Sequence, residues 1–302
     1  MKPVPADVLG VKGAASWPSA TTRLAGVIGQ PVSHSLSPAL HQAGYRAVGV
    51  DWAYLAFDVA PPDFAAAVAG AAALGVVGLS VTMPHKKAAA RLATRRSPVV
   101  ERLGAANTLM FKDGGIAADN TDGRGLVADL RSEVPFDPDG RTCAVIGAGG
   151  AARAVAVALA EAGAAQLLIV NRSRDRAAEL AGLVPGRGRV ARAEELAGAD
   201  LIVKATPIGM SSVGPSCAPS AITGPELVDP SMFRAGQLVV DLVYDPPITD
   251  WLSRAAAGGA SIRGGLGMLV HQALLQVELW TGTRPPVGEL WRAVGRSSGA
   301  GS

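Results

Sequence analysis

Cys143-Ala-Val-Ile-Gly147-Ala148-Gly149-Gly150-Ala151-Ala152-Arg153 is the stretch on which the fold turns. A short apolar strand stops at Gly147, and helix-forming residues take over just beyond it. Gly147 permits the tight turn, Gly149 lets the backbone approach a pyrophosphate, and Ala152 is small enough for close packing of helix on strand. Free N–H groups at the positive end of that helix would then meet the phosphates. A glycine cluster alone says little in a chain with 37 glycines. Its place between strand and helix is what marks a dinucleotide site, with Gly147, Ala148, Gly149, Gly150 and Ala151 as the expected contacts.

Downstream, the pattern continues as a nucleotide-binding series. Strands are expected at 142–146, 167–170, 201–204 and 238–242, with helices at 151–162 and 174–183. The tip of the second of these strands selects the cofactor. An NAD enzyme usually carries a carboxylate there for the ribose 2′-hydroxyl. This chain reads Val170-Asn171-Arg172-Ser173-Arg174-Asp175-Arg176, with arginine at every second position and no carboxylate at the tip. Guanidinium groups match a 2′-phosphate in charge and in bidentate geometry. The plainer alternative is a solvated first helical turn. NADP is the expected cofactor.

Upstream, short apolar strands again alternate with helices: strands at 24–28, 52–57 and 76–81, helices at 38–48 and 63–73, and a short helix after Pro84. Residues 106–111 and 115–118 read as a hairpin around Lys112-Asp113-Gly114. Asp137-Pro138-Asp139-Gly140 is turn chemistry between the two halves. A last long helix, 268–281, follows the nucleotide series. The fold class is α/β in two domains, an α/β substrate domain and a Rossmann-type cofactor domain.

Composition sets the limits. Hydrophobic residues at 49% and charged residues at 18% allow a sizeable core. The net charge of +3 comes without a dense basic run, which argues against nucleic acid. Cys143 and Cys217 lack metal-ligand spacing, and His34, His41, His85 and His271 are scattered, so no metal is expected. So few cysteines fit a reducing compartment, hence a cytoplasmic protein. Residues 1–22 read as a loose extension and not as a secretory signal, and the Gly/Ser-rich tail from Arg296 as frayed. Residues 64–83 carry no charge, but Gly75 and Gly78 interrupt them. They read as a small-residue helix, a turn and a buried strand, not as a membrane span.

Three loops carry candidate chemistry. Ser80-Val81-Thr82-Met83-Pro84-His85-Lys86 ends a strand and opens a helix, which places a lysine where the helix dipole disfavours a cation. Asp119-Asn120-Thr121-Asp122-Gly123 places Asp122 at a helix start, where capping is its ordinary role. In Ser33-His34-Ser35-Leu36-Ser37-Pro38, Ser37 reads as an N-cap. Ser35 and Ser37 could there face one side of an extended loop and hold a carboxylate.

These loops resemble the signatures of the shikimate dehydrogenase family, in family order. The resemblance runs through 27–38, 81–86, 104–109, 119–123, 147–153, 171–173, 241–246 and 265–273, and covers roughly residues 23 to 295. It implies that Lys86 and Asp122 form a catalytic pair, and that Ser35, Ser37, Thr82, Asn107, Tyr244 and Gln272 line a pocket for shikimate or 3-dehydroshikimate. It also implies cofactor contacts at Asn171, Arg172, Ser173, Arg176, Thr206, Leu242, Gly265 and Met268. The family architecture places the substrate domain at 1–122 plus 264–302 and the cofactor domain at 123–263, as a monomer or homodimer. Ser80 stands where the family often has asparagine, Ala118 where glycine is frequent, and Lys204 where asparagine usually precedes Ala-Thr. Lys204 leaves the geometry of that cofactor loop open. Quinate or aminoshikimate dehydrogenase, or a non-catalytic paralogue, are the competing readings.

Overall fold

The computed structural model describes residues 17–210 and 226–296. Most of the expected N-terminal extension, Cys217 and the tail beyond Arg296 lie outside the described residues.

Two six-stranded sheets organise the chain. The first is built from β1 (Arg23–Gly29), β2 (Trp52–Asp58), β3 (Gly78–Val81), β4 (Arg95–Arg96), β5 (Thr108–Lys112) and β6 (Gly115–Asp119). Its order is β2-β1-β3-β5-β6-β4. β1 pairs parallel with β2 and β3, so the connections after β1 and β3 emerge at the same end. β5 and β6 form the expected hairpin, with Asp113 and Gly114 both at positive φ in the turn. The helices of this half are α1 (Ser37–Ala47), α2 (Phe64–Ala73), α3 (Lys86–Leu92) and α4 (Pro98–Leu103).

Helix α5 (Asp122–Ser132) leads to the second sheet: β7 (Thr142–Ile146), β8 (Gln166–Val170), β9 (Gly188–Val190), β10 (Leu201–Lys204), β11 (Leu238–Asp241) and β12 (Ser261–Arg263). The order is β12-β11-β10-β7-β8-β9, and every neighbouring pair is parallel. The strand order reverses between β7 and β10, and that switch point is where such sheets bind ligands. The glycine turn after β7 and the loop after β10 flank it. Helices α6 (Gly150–Glu161), α7 (Arg174–Gly182) and α8 (Asp250–Ala257) serve this sheet. Helices α9 (Leu266–Thr281) and α10 (Val287–Ala293) return to pack against α1.

β3, β7, β8, β10 and β11 form where expected because their side chains are largely buried on both sheet faces, while the edge strand β2 fully buries only Trp52 and Tyr54. β4, β9, β12, α4, α8 and α10 are too short for their periodicity to stand out from sequence.

Two expected helix caps differ. Ser37 is the first residue of α1 and makes no capping bond; Ser35 Oγ instead accepts from the Ser37 amide at 3.2 Å. Asp122 likewise does not cap α5; Asn120 Oδ1 accepts from its amide at 3.0 Å, which frees the carboxylate. In each case the backbone N–H of the expected cap is itself held by a polar side chain two residues upstream.

Helix α5 joins the halves through glycine contacts. A Cβ on Gly123 would lie 2.2 Å from the Ala154 carbonyl oxygen of α6, and one on Gly125 2.8 Å from Gln272 in α9. No side chain fits at either point. The buried pair Asp129–Arg263, at 2.7 Å, ties α5 to β12.

Lys204, at the end of β10, is fully buried. Its ammonium donates to Asp241 Oδ2 at 2.9 Å and to the Ile208 carbonyl, and Thr249 Oγ1 donates to the same carboxylate oxygen at 2.8 Å. The lysine therefore folds the 205–209 loop back onto β11 and pairs its charge with Asp241. It adds no free cation to the cofactor loop. Replacing it by methionine leaves Asp241 buried without its ion partner, so Lys204→Met should cost about 3–5 kcal/mol in denaturant unfolding. Adding Asp241→Asn should restore much of that. A single-variant loss below about 1 kcal/mol would contradict the assignment.

His41 of α1 is fully buried and stacks on Tyr54 with ring centroids 4.1 Å apart. Burial pulls its pKa down to about 4, although the Ser37 carbonyl at 2.8 Å and Gln276 at 3.1 Å oppose the shift. The unfolded chain binds this proton at its ordinary value near 6.5. Between those values the unfolded state holds more protons, so stability rises with pH and is lost as pH falls from 6.5 to 4. The contribution is about 3 kcal/mol. His41→Phe keeps the stacking but cannot titrate. Unfolding free energies at pH 7 and 4.5 should therefore fall less steeply for the variant than for the parent.

Candidate functional site

At the carboxyl end of the first sheet, the connections after β1 and β3 run side by side, held by a hydrogen bond from the Gln30 amide to the Met83 carbonyl at 2.9 Å. A Cβ on Gly29 would lie 2.2 Å from Thr82 Cγ2, so only glycine permits this approach. Ser35 and Ser37 come from the first connection, Thr82 and Lys86 from the second. Ser37 is buried, while Ser35 and Thr82 are partly exposed.

Lys86 opens α3, and its Nζ lies 2.5 Å from Asp122 Oδ2 at the start of α5. The lysine side chain keeps 20% exposure and the aspartate 6%, so the ammonium faces an opening while the carboxylate is enclosed. Asn107 Nδ2 donates to the other carboxylate oxygen at 2.8 Å and to Thr121 Oγ1 at 2.9 Å, and Gln272 Oε1 lies 3.3 Å from the same nitrogen. Four of the expected residues, Lys86, Asp122, Asn107 and Gln272, thus form one connected group.

The Asp119–Asp122 segment is rigid because each polar side chain is used. Asp119 accepts from Ser97 Oγ at 2.7 Å and pairs with Arg124, Asn120 donates to the Ala105 carbonyl at 3.1 Å, and Thr121 receives Asn107. Sequence reasoning passed over Asn120, Thr121, Thr108 and Gln276. The available signal was polar residues at helical spacing, Gln272 and Gln276, on a largely apolar helix.

Across the opening lies the glycine turn. Gly147 has φ of +112°, which favours glycine, and a Cβ there would lie 3.3 Å from the Ala205 carbonyl oxygen. Gly149 has open space about it, and a Cβ on Gly150 would come 4.0 Å from Cδ of Lys86. Helix α6 begins at Gly150 without a side-chain cap, which leaves its first amides for a ligand. Thr206 Oγ1, beside this turn, is buried and has no hydrogen-bond partner. Arg172, Arg174 and Arg176 are all exposed around the tip of β8. This donor-rich, positively charged edge fits a phosphorylated dinucleotide.

Other expected contacts have local duties. Asn171 Nδ2 donates to the Ser173 carbonyl at 2.9 Å, and Ser173 Oγ caps α7 by accepting from the Arg176 amide at 3.4 Å. Ala148 is buried, and Ala151 is partly exposed in the first turn of α6. Gly265 presses on Leu242, whose carbonyl oxygen would lie 2.1 Å from a Cβ there. Met268 is buried on α9. Tyr244 is partly exposed, and burial first, then Asp245, holds its hydroxyl above the usual range. Neither Tyr244 nor Ser35 and Ser37 bonds directly to the Lys86 group among the described residues. Among those residues there is also no cluster of three or more metal-ligating side chains, and no helix long and apolar enough to cross a membrane.

Comparison with known proteins accounts for this layout. Residues 27–109 match the model described as shikimate dehydrogenase substrate binding domain. Residues 131–249 match shikimate / quinate 5-dehydrogenase, and 265–294 the shikimate 5′-dehydrogenase C-terminal domain. The shikimate dehydrogenase (NADP(+)) of Methanopyrus kandleri is 45% identical over 285 residues, covering 91% of this chain and 96% of that protein. That of Geobacter sp. strain M21 is 43% identical over 284 residues, covering 90% and 94%. The crystal structure of shikimate 5-dehydrogenase from Thermus thermophilus, in complex with NADP(H) and shikimate, superposes with a TM-score of 0.80 at 33% identity, covering 91% and 99%. A glycine turn that opens α6, a lysine–aspartate pair near it and these matches along the chain lead to one statement: the protein belongs to the shikimate dehydrogenase family.

Proposed function

We propose that this protein is an NADP-dependent oxidoreductase that interconverts 3-dehydroshikimate and shikimate in the cytoplasm. The observation that carries the reading is the 2.5 Å Lys86–Asp122 ion pair, with the lysine stem facing Gly150 across the opening. Residues 1–122 with 264–302 would bind substrate, and 123–263 would bind cofactor.

The bound nicotinamide supplies the hydride for reduction of the C3 ketone and takes it back in the reverse direction. The chain's own part is to bind, orient and move the proton. Lys86 Nζ donates a proton to the oxygen that becomes the hydroxyl and accepts it in the oxidation. Asp122 fixes the direction of the ammonium and accepts a hydrogen bond from a ring hydroxyl, while Asn107 holds the second carboxylate oxygen. Ser35, Ser37 and Thr82, at the carboxyl end of the first sheet, are assigned to the substrate carboxylate and ring hydroxyls, with Gln272 and Tyr244 completing the pocket. Gly147, Ala148, Gly149, Gly150, Ala151 and Thr206 are assigned to the pyrophosphate. The exposed Arg172 and Arg176, with Asn171 and Ser173, take the 2′-phosphate. Leu242, Gly265 and Met268 bound the nicotinamide end.

Quinate is the second reading, favoured by one observation: the match over 131–249 is to a shikimate / quinate model. Initial rates with shikimate and quinate, each with NADP and NAD, separate the two. Shikimate with NADP should give the highest kcat/KM; a preference for quinate or for NAD would overturn the assignment. Lys86→Ala should lower kcat by about 10²–10⁴ while shikimate still binds. A folded variant with near-parental kcat would remove Lys86 from the mechanism.

A further inference from the structure

A row of buried polar side chains runs from the interior of the first sheet to Asp122, and its proton directions can be worked out one bond at a time. Asn107 Oδ1 lies 2.8 Å from the Thr121 amide, which can only donate, so that atom is an oxygen. Thr108 Oγ1 lies 2.8 Å from the same oxygen and must give it its single proton. Having no second proton, Thr108 can only accept from Gln276, 2.9 Å away. The Gln276 atom concerned is therefore nitrogen. The Asn107 carbonyl, 3.1 Å from that atom, independently demands the same. Gln276 Oε1 then accepts from Ser80 Oγ at 2.7 Å, with His41 Nε2 3.1 Å from the same oxygen, and this commits the serine proton and leaves Ser80 to accept from the Tyr54 hydroxyl at 2.6 Å. Burial holds the Tyr54 phenol well above its usual range, so it keeps its proton.

Every donor in this row points the same way: Tyr54 to Ser80 to Gln276, Gln276 to Thr108, Thr108 to Asn107, and Asn107 to Asp122. All six side chains are buried. Hydrogen bonds aligned head to tail in a low-dielectric interior polarise one another, and this row ends on a carboxylate, the strongest acceptor available. A reversed Asn107 amide would turn an oxygen toward Asp122 and lose the Thr121 and Thr108 donors together.

We propose that Thr108 and Gln276 are positioning residues that lock the Asn107 amide with its N–H₂ group toward Asp122 and thereby set the orientation of the Lys86–Asp122 pair. The proposal rests on the catalytic reading of that pair. It gives Ser80, where the family often carries asparagine, a defined role, which is to relay Tyr54 to Gln276 through one hydroxyl.

Thr108→Val removes the hydroxyl at nearly constant shape, and Thr108→Ser restores it. With the full-length protein, Thr108→Val should lower kcat about tenfold with KM for NADP unchanged, and Thr108→Ser should lie within about twofold of the parent. A folded Thr108→Val protein with parental kcat overturns the proposal. So does equal loss in both variants, because packing and not the hydroxyl would then be at work. Should Thr108→Val not fold, Ser80→Ala decides. A severalfold fall in kcat at constant KM for NADP supports the row, and an unchanged kcat refutes it. Asp122→Asn, measured alongside, separates the two levels. Parental activity there defeats the catalytic reading itself, whereas an impaired Asp122→Asn beside an unaffected Thr108→Val defeats only the positioning row.

Discussion

Placing an ammonium and a carboxylate 36 positions apart in the chain in direct contact, at the edge of an interior, is the constraint around which this structure is arranged. An ion pair so enclosed is costly unless its remaining lone pairs and protons are matched. The matching consumes most of the polar residues nearby. Asn107 serves the second carboxylate oxygen, Asn120 holds the Asp122 backbone, and Asp119 is pinned by Ser97 and Arg124. The loop that carries the aspartate is rigid as a consequence. Lys86, in contrast, keeps part of its side chain exposed, which is what the proposed role in proton transfer needs.

Helix α5 transmits that constraint to the second sheet. Asp122 is its first residue, and Gly123 and Gly125 let it seat directly on α6 and α9. The helix that presents the carboxylate therefore touches both the helix that begins at the phosphate turn and the helix that carries Gln272. The Asp129–Arg263 pair fastens the same helix to β12. A shift of α6 relative to the first sheet would be felt at Asp122, so substrate-side and cofactor-side geometry are coupled through a single packed element.

Two buried groups away from the opening, Lys204 and His41, illustrate different solutions to burial. Lys204 pairs with Asp241 and donates to the Ile208 carbonyl, with Glu226 3.6 Å away, while Thr249 donates to the same Asp241 oxygen, and the result is a fixed 205–209 loop. His41 has no carboxylate beside it and gives up its charge instead.

Much of this was legible in the sequence. The parallel series, the glycine turn, the arginine-rich strand tip and the lysine and aspartate at helix starts follow from periodicity, from the φ tolerance of glycine and from helix-end electrostatics, all of which act over a few residues. The sequence could not show that the Ser37 and Asp122 side chains would leave their helices uncapped while Ser35 and Asn120 hold their backbone amides. Nor could it show that Lys204 would bury its charge on Asp241. These outcomes depend on which polar group is nearest in space, and that is fixed only when strands far apart in the chain pair and helices dock. The Tyr54-to-Asp122 row is the extreme case. Its members come from β2, β3, the entry to β5, α5 and α9. Tyr54, Ser80, Thr108 and Gln276 are not distinctive alone, and the common direction of the row exists only because the packed interior brings these groups together.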